Sequence, residues 1–468
     1  MRFTLSCAIG LTLVLHGPGS AGPWDTDVLA GAAKVSITPP LNGDGIPEYL
    51  DGSPVWMAGF STDRAATSVH DELYARALVL EIDGRRIAFL SMDLVGLFHD
   101  DVLRIRQLLA AELEIEHLIV ASTHNHEGPD TIGLWGYTDN QWPFLHPGVN
   151  DLYMLVLKRQ AVQAVKDAVD ALVPAGLRAA TTSTDDLDLI RDSRDPIIID
   201  EQLTGLQAVA LDGGVIGTMV NWSNHPEVLW DDNTALTADY PGFVCDHLED
   251  RFGGTAVFLS GALGGLLTPN VDEHTFEEAD RFGAAVAGRI AGVLEVETNL
   301  VLDTSLDIRV NDQVEIFFFN PMMRLLNHLW RRSFRTLYNC VPFGVFCQDV
   351  RTEVNLVTID GVAQFISVPG EIVPELAFEL LAQLDAPHRF VLGLANDEIG
   401  YILPEYRYEC DDDEPRECWP TNTPDYAWPP NPFDPGDHYE ETVSLGPRAA
   451  PVIMEAVEAL IDEYNSER

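Results

Sequence analysis

The chain has 468 residues, enough for one large α/β domain or about three domains of average size. It carries 28 Lys and Arg residues against 74 Asp and Glu residues, which gives a formal net charge of −46. Because so acidic a surface repels a phosphate backbone, nucleic-acid partners are excluded. The hydrophobic fraction of 46% excludes an intrinsically disordered chain.

The first residues have the order of a secretory signal peptide. A basic residue, Arg2, precedes an apolar stretch over residues 3–15, and small residues follow at 19–21. The apolar stretch is too short to cross a bilayer, which takes ~20 residues. We expect a cleaved signal peptide at residues 1–21 and one large domain over residues 22–468, in a secreted, periplasmic or extracellular product.

Three segments share the pattern of an apolar run, an Asp-Gly pair and a second apolar run. The Asp-Gly pair supplies the positive φ that tight turns need, so each segment predicts a β-hairpin. The predicted hairpins join residues 78–82 to 87–94, 206–211 to 215–220, and 354–359 to 362–368.

Shorter apolar runs predict strands that are buried on both faces, at residues 118–121, 256–259 and 390–394. Apolar residues at helical spacing predict helices over residues 101–113, 152–172, 277–294, 373–384 and 451–464. Hairpins and helices alternate without a linker between them. This order indicates an α/β fold with mixed β-sheets and flanking helices in a single large domain.

Two segments differ in composition from the rest of the chain. Residues 317–347 form a basic and aromatic insert with four arginines and no acidic residue. Its apolar side chains at helical spacing predict either an interfacial amphipathic helix or a buried helix packed on a sheet. Residues 409–438 are acidic and rich in proline, which predicts a long surface loop.

Five cysteines follow the predicted signal peptide. In an oxidising compartment, close spacing favours local disulfides that staple loops. We therefore expect bridges between Cys340 and Cys347 and between Cys410 and Cys418. Cys245 is left over and is predicted to be a buried thiol.

Polar side chains follow the predicted strands where each one ends, namely His124, His126, His225, Glu371 and Tyr401. In open α/β sheets such groups converge beyond the carboxyl ends of the strands. Imidazole nitrogen and carboxylate oxygen suit zinc, and a catalytic zinc site keeps one position open. The residues alone leave open whether both histidines of the His-Asn-His segment are ligands, or whether one lies beside the metal as acid or base. Structural histidines, a turn at Pro-Gly-Glu and a packed tyrosine are the alternatives.

Six motifs reveal a resemblance that spans residues 30–447. They are Ala-Gly-Ala-Ala-Lys-Val-Ser-Ile-Thr-Pro at 30–39, Val-His-Asp-Glu-Leu-Tyr-Ala-Arg-Ala at 69–77, Met-Asp-Leu-Val-Gly at 92–96, Thr-His-Asn-His-Glu-Gly-Pro at 123–129, Asp-Tyr-Pro-Gly at 239–242 and His-Tyr-Glu at 438–440. In this order they resemble the catalytic N-terminal domain of the neutral/alkaline (non-lysosomal) ceramidase family. The resemblance implies a secreted or surface amidohydrolase that cleaves the amide of N-acylsphingosine, with one zinc ion per chain.

The resemblance also implies roles for individual residues. The implied zinc ligands are His124, His225, Glu371 and Tyr401. His126 then lies close to the metal as a general acid or base. Arg191 and Tyr439 are implied to contact the reacting amide.

One motif departs from the family pattern. Where the family has Gly-Asp-Val-Ser-Pro-Asn, with the serine as proposed nucleophile, this chain has Gly-Leu-Leu-Thr-Pro-Asn at 265–270. Thr268 takes the position of the serine, and Leu266 takes the position of the acidic residue. We expect Thr268 to orient water or the amide by hydrogen bonding, with an acyl-enzyme as the alternative.

The leading hypothesis is a zinc-dependent amidohydrolase that acts on ceramide or a related N-acyl lipid, lifted from a membrane or micelle surface. No nucleic acid and no obligate protein partner is expected. An esterase or lactonase on the same metal site is the nearest alternative, because an ester is easier to cleave than an amide. A secreted lipid-binding homologue without turnover is another alternative, motivated by Leu266 and Thr268.

Overall fold

The computed structural model describes residues 26–139, 142–192, 196–317, 349–411, 414–420 and 439–468, with the short pieces 342–343 and 346–347. Within these residues the strands are β1 Val28–Ser36, β2 Ser68–Val69, β3 Tyr74–Ile82, β4 Arg85–Met92, β5 His117–Ser122, β6 Tyr137–Asp139, β7 Trp142–His146, β8 Val173–Ser183, β9 Ile190–Asp192, β10 Gln202–Ala210, β11 Val215–Trp222, β12 Ala235–Leu236, β13 Thr255–Ser260, β14 Leu267–Pro269, β15 Leu306–Phe317, β16 Pro342–Phe343, β17 Phe346–Cys347, β18 Asp349–Ile359, β19 Ala363–Ser367, β20 Glu371–Ile372, β21 His388–Leu392, β22 Tyr401–Ile402, β23 Tyr408–Asp411 and β24 Glu414–Pro420. The helices are α1 His99–Ala110, α2 Asp151–Asp170, α3 Asp239–Phe252, α4 Phe276–Val296, α5 Pro374–Leu381, α6 Tyr439–Thr442 and α7 Ala449–Glu467, with a single 3₁₀ turn at Glu405–Arg407.

Two mixed sheets form the centre of the molecule. The larger sheet has eight strands in the order β13-β11-β10-β8-β1-β3-β4-β5, and the smaller has four in the order β15-β18-β19-β21. Side chains alternate along the strands, so each sheet has one face toward the other sheet and one face toward helices. The predicted α/β class with mixed sheets and flanking helices is confirmed.

The two sheets pack face to face on an apolar core. The ring of Phe365 from the smaller sheet lies 5.0 Å from the ring of Phe89 in the larger sheet and 4.4 Å from that of Phe390. Helices α1 to α4 cover the outer face of the larger sheet, and α5 and α7 cover the outer face of the smaller one. The result is a four-layer arrangement of helices, sheet, sheet and helices.

One structural unit occurs three times along the chain. Each copy is an antiparallel hairpin, a helix and a strand that returns parallel to the second hairpin strand. The copies are β3-β4-α1-β5, β10-β11-α3-β13 and β18-β19-α5-β21. The three predicted hairpins and the three predicted buried strands are therefore confirmed, and in each unit the second hairpin strand and the returning strand end at the same edge of their sheet.

The three hairpin turns differ in backbone conformation. Asp83 and Gly84 both have positive φ, at 51° and 74°, as a two-residue hairpin turn of type I′ requires. In the other two turns only the glycines, Gly213 and Gly361, have positive φ. The glycine of each Asp-Gly pair therefore has the expected positive φ. Among the aspartates, only Asp83 has it.

The two compositionally distinct segments lie largely outside the described residues. The insert at 317–347 is described only at its first residue, β16 and β17, so its predicted helix is not tested. The expected acidic loop begins instead with a hairpin of β23 and β24, in which Cys410 stands opposite Cys418.

The predicted disulfides stay predictions. Cys340 and the side chains of Cys347, Cys410 and Cys418 lie outside the described part of the structure, so neither bridge is tested. Cys245 is a buried free thiol, as predicted. Among the described helices, none is long and apolar enough to cross a membrane.

We predict that Phe365→Ala lowers the free energy of unfolding by about 3–5 kcal/mol, because it leaves a cavity between the two sheets. Phe378→Ala is the matched control, since Phe378 on α5 is 41% exposed. Urea denaturation followed by fluorescence measures both. Equal losses for the two variants would contradict a shared core between the sheets.

Candidate metal centre and active site

The strand ends of the two sheets meet at one edge of the molecule. The amide of Ser122 at the end of β5 donates to the carbonyl of Leu394 at 3.2 Å, and the amide of Gly393 donates to Ser260 at the end of β13 at 3.0 Å. These hydrogen bonds join the larger sheet to the segment that follows β21. Side chains that follow different strands are thereby brought into one place.

Three buried side chains meet at this edge in the arrangement of a metal site. One carboxylate oxygen of Glu371, Oε2, lies 3.4 Å from Nε2 of His124 and 3.3 Å from Nε2 of His225. All three ligand atoms lie within 4.8 Å of one another. Two atoms that each lie ~2.1 Å from a tetrahedral metal are ~3.4 Å apart, so these separations fit one ion.

Hydrogen bonds to the backbone fix both imidazoles for metal binding. Nδ1 of His124 lies 2.7 Å from the carbonyl oxygen of Val95, and Nδ1 of His225 lies 2.7 Å from that of Leu267. A carbonyl oxygen only accepts, so each Nδ1 carries a proton, and Nε2 is the ring nitrogen that faces Glu371. Metal-binding histidines characteristically have such a second partner.

The backbone and the charges at this site are both unusual. His124 has a φ of 65°, in the left-handed region that only a few residues with a side chain adopt. Burial favours the neutral form of Glu371, but the charges and hydrogen bonds of His124 and His225 outweigh it and hold the pKa of Glu371 well below its ordinary value. The carboxylate is thus ionised, as a metal ligand must be.

Tyr401 lies beside the three ligand candidates. It stands opposite Glu371 where β22 pairs in parallel with β20, and its buried side chain is hydrogen-bonded to Glu371. Burial and the Glu371 charge raise the pKa of Tyr401 well above 10.0. A bound cation opposes both effects. The structure therefore brings together all four residues predicted as ligands, and their ligand role stays a prediction.

His126 lies next to this group without joining it. Its ring centroid is 4.8 Å from that of His124, and its Nδ1 lies 3.1 Å from Oε1 of Glu227. Burial is the main cause that lowers the pKa of His126 to about 4. Gly59 makes this position possible, because a Cβ there would lie 2.5 Å from Cβ of His126.

Thr268 faces Glu227 from the other side. Its hydroxyl Oγ1 donates to Oε2 of Glu227 at 2.9 Å. Burial favours the neutral form of this carboxyl, but the charges of His225 and His126 and the bond from Thr268 hold the pKa of Glu227 to about 2. Glu227 was not predicted from the sequence. The available signal was its place two residues after His225.

Tyr439 and Arg191 differ in how near they lie to the site. Tyr439 begins α6, lines the same cavity as His124 and has its ring 5.9 Å from that of Tyr401. Arg191 is exposed on β9, where it stands opposite Thr268. Arg191 does not line the cavity, so the structure places it at the flank of the site.

The cavity at the strand ends is small and mostly apolar. Its volume is about 60 Å³, and one water needs ~10–15 Å³ by such a measure. Phe98, Ile132 and Trp135 form apolar walls around the polar groups. The cavity therefore accommodates a reacting group with a few waters, and any long acyl chain must extend beyond it.

A second carboxyl group in the cavity was also missed from the sequence. Glu398 lines the cavity, its Oε1 accepts from the amide of Gly400 at 3.0 Å, and its buried Oε2 has no hydrogen-bond partner among the described residues. Burial and the charge of Glu371 raise the pKa of Glu398 well above its ordinary value. Glu371 and Glu398 are thus an ionised and a neutral carboxyl in one cavity.

Two solved ceramidase structures share this fold over almost the whole chain. Neutral ceramidase from Pseudomonas aeruginosa is 17% identical with a TM-score of 0.66, and the match covers 94% of this chain and 75% of that one. A ceramidase complexed with C2 is 16% identical with a TM-score of 0.69, and the match covers 95% and 76%. No family model and no curated protein matches the sequence. The fold implied by the resemblance, that of neutral ceramidase, is confirmed.

We predict that His225→Ala abolishes stoichiometric binding of a transition metal, because one of the converging donor atoms is lost. The affinity should fall by more than the ~10–100-fold typical of losing a partner outside the ligand set. Elemental analysis of purified protein after dialysis measures the metal content. His247→Ala is the control, since His247 is exposed on α3 and pairs with Asp280. Retention of full metal content by His225→Ala would contradict the site.

Proposed function

We propose that this chain, which has the fold of neutral ceramidase, is a zinc-dependent amidohydrolase that cleaves the amide bond of ceramide or a related N-acyl lipid. The observation that carries the proposal is the buried group of His124, His225 and Glu371, with Tyr401 beside it, in a small cavity at the strand ends. Two imidazoles whose Nε2 atoms face Glu371, one carboxylate and a phenol are a donor set that zinc accepts. The proposed stoichiometry is one zinc per chain.

Zinc bound by these residues supplies Lewis-acid polarisation of a carbonyl oxygen and lowers the pKa of a water toward ~7. The chain itself supplies the remaining functions. Burial of the donors keeps the reacting groups out of bulk solvent, where electrostatic interactions are weaker. The apolar walls at Phe98, Ile132 and Trp135 suit a lipid-like substrate better than a sugar or a phosphate.

His126 is the proposed general acid or base. Its low pKa leaves the ring neutral at pH 7, so it takes a proton from an attacking group and returns it to the departing amine. With Nδ1 near Glu227, the other ring nitrogen, Nε2, is the atom that exchanges the proton.

Tyr439 and Arg191 are proposed to contact the amide of the substrate. The Tyr439 side chain lies in the cavity wall, within reach of a carbonyl placed near Tyr401. Arg191 stands opposite Thr268, the residue proposed to hydrogen-bond the amide or the water. A lipid substrate would be taken from a membrane or micelle surface, and export through the predicted signal peptide would bring the enzyme to it.

The purified chain should release a free sphingoid amine and a fatty acid from N-acylsphingosine, and it should lose this activity when a chelator removes the metal. Adding zinc back should restore the activity. Product release is measured by chromatography, with ceramides of short and long acyl chains and with an ester of the same acyl group. His126→Gln should lower kcat by ~10²–10⁴-fold and leave the zinc content unchanged.

Other results of the hydrolysis assay would indicate a different function. Cleavage of the ester but not of the amide would show that the chain is an esterase or lactonase. Stoichiometric zinc without hydrolysis of any N-acyl or ester substrate would identify a lipid-binding homologue. In either case the proposed function is rejected.

A further inference from the structure

Glu227 connects two side chains of the proposed active site. Its Oε1 lies 3.1 Å from Nδ1 of His126, and its Oε2 accepts from the hydroxyl of Thr268 at 2.9 Å. We propose that Glu227 is a positioning residue, which holds His126 and Thr268 in the orientations that the reaction needs. The inference deepens the proposed function and rests on it.

The surroundings of Glu227 do not give it a structural role. Two buried aspartates with a structural role accept hydrogen bonds from several backbone amides. Asp130 accepts from those of Ile132, Gly133, Trp135 and Gly148. Asp239 accepts from those of Val228, Leu229 and Tyr240. Among the described residues, Glu227 has no such amide and no Lys or Arg ion pair. The Glu227 side chain is only 13% exposed, and a carboxylate so largely removed from water is costly without partners; those of Glu227 are His126 and Thr268.

Glu227 determines which ring nitrogen of His126 carries the proton, which the other neighbours of His126 do not determine. Arg64 donates to the backbone carbonyl of His126, Phe60 packs edge-on at 5.2 Å from the ring, and Gly59 lies against its Cβ. These contacts place the ring but do not choose which nitrogen carries the proton. The carboxylate of Glu227 lies 3.1 Å from Nδ1 without the geometry of a hydrogen bond, and its negative charge favours the proton on that nitrogen and the lone pair on Nε2.

The same carboxylate determines what Thr268 can do. The hydroxyl has a single proton, and that proton is donated to Glu227. The oxygen of Thr268 can therefore only accept a hydrogen bond from a second group, such as a water or the amide N–H of a substrate. In this chain Leu266 stands where the resembled family has an acidic residue, and Glu227 brings a carboxylate to Thr268 from the end of a different strand.

The test uses Glu227→Gln, because glutamine has the same shape but a single acceptor oxygen and so cannot serve both partners. We expect kcat to fall by ~10–100-fold, with KM, zinc content and melting temperature unchanged. Thr268→Val should lower kcat by a smaller factor. The double variant should be about as slow as Glu227→Gln alone, because the residues act as one unit. Glu273→Gln, at an exposed glutamate, is the control that should change nothing.

A second readout needs no substrate. In the zinc-free full chain, nitrogen NMR of the histidine rings should show His126 protonated at Nδ1, with the signal identified by its loss in His126→Gln. In Glu227→Gln the proton should move to Nε2. If the wild-type tautomer is Nδ1–H and moves in Glu227→Gln but no substrate is cleaved, the proposed function fails, and Glu227 sets the His126 tautomer without a role in this reaction.

Three results would overturn the positioning role. One is an unchanged His126 tautomer together with unchanged kcat in Glu227→Gln. Another is loss of zinc from this variant, which would make Glu227 a ligand. The third is a large drop in its melting temperature, which would make Glu227 a structural acid.

Discussion

The alignment of the two sheets at one edge depends on a buried amide, that of Asn396. Its Oδ1 accepts from the amide of Val120 in β5 at 2.9 Å, its own backbone amide donates to the carbonyl of Val120 at 2.7 Å, and its Nδ2 donates to Oδ1 of Asn355 in β18 at 2.7 Å. Inside the protein such bonds are strong because water does not compete. They hold the end of β5 at a fixed distance from the smaller sheet. The residues that follow the strands of the two sheets can therefore form one site.

Because the strand ends meet at this edge, three glutamates with very different pKa values lie close together. Glu371, Glu227 and Glu398 lie in or beside one buried region, and their pKa values diverge: the first two lie well below the ordinary range and the third lies well above it. Groups with divergent pKa values in one cavity can divide acid and base roles between them. Two of these carboxyls are ionised in this region, and their negative charge favours binding of a cation there.

The sequence predicted those parts of the fold that short-range chemistry determines. Each hairpin has an Asp-Gly turn, and His124, His225 and Glu371 each follow a recognisable strand. Helix α3 was missed, because Pro241 and Gly242 in its first turn look like a loop signal although proline fits a helix start. Strand β8 begins with Val-Pro-Ala-Gly, which also reads as a loop. Glu227 has only its place two residues after His225 as a sequence signal, and Glu398 has none, since the packing of separate strand ends gives them their partners.

The three hairpin-helix-strand units have a consequence for how the chain folds. Each unit consists of neighbours in sequence and can form early, whereas the contact between His225 and Glu371 joins residues 146 positions apart. Long-range contacts bear the full entropy of loop closure, so the metal centre should be completed last. An ion that binds only the completed centre stabilises the folded state by RT ln(1 + [L]/Kd), which is ~2.7 kcal/mol at a hundredfold excess over Kd. The free metal concentration around the protein would then help to set the free energy of unfolding.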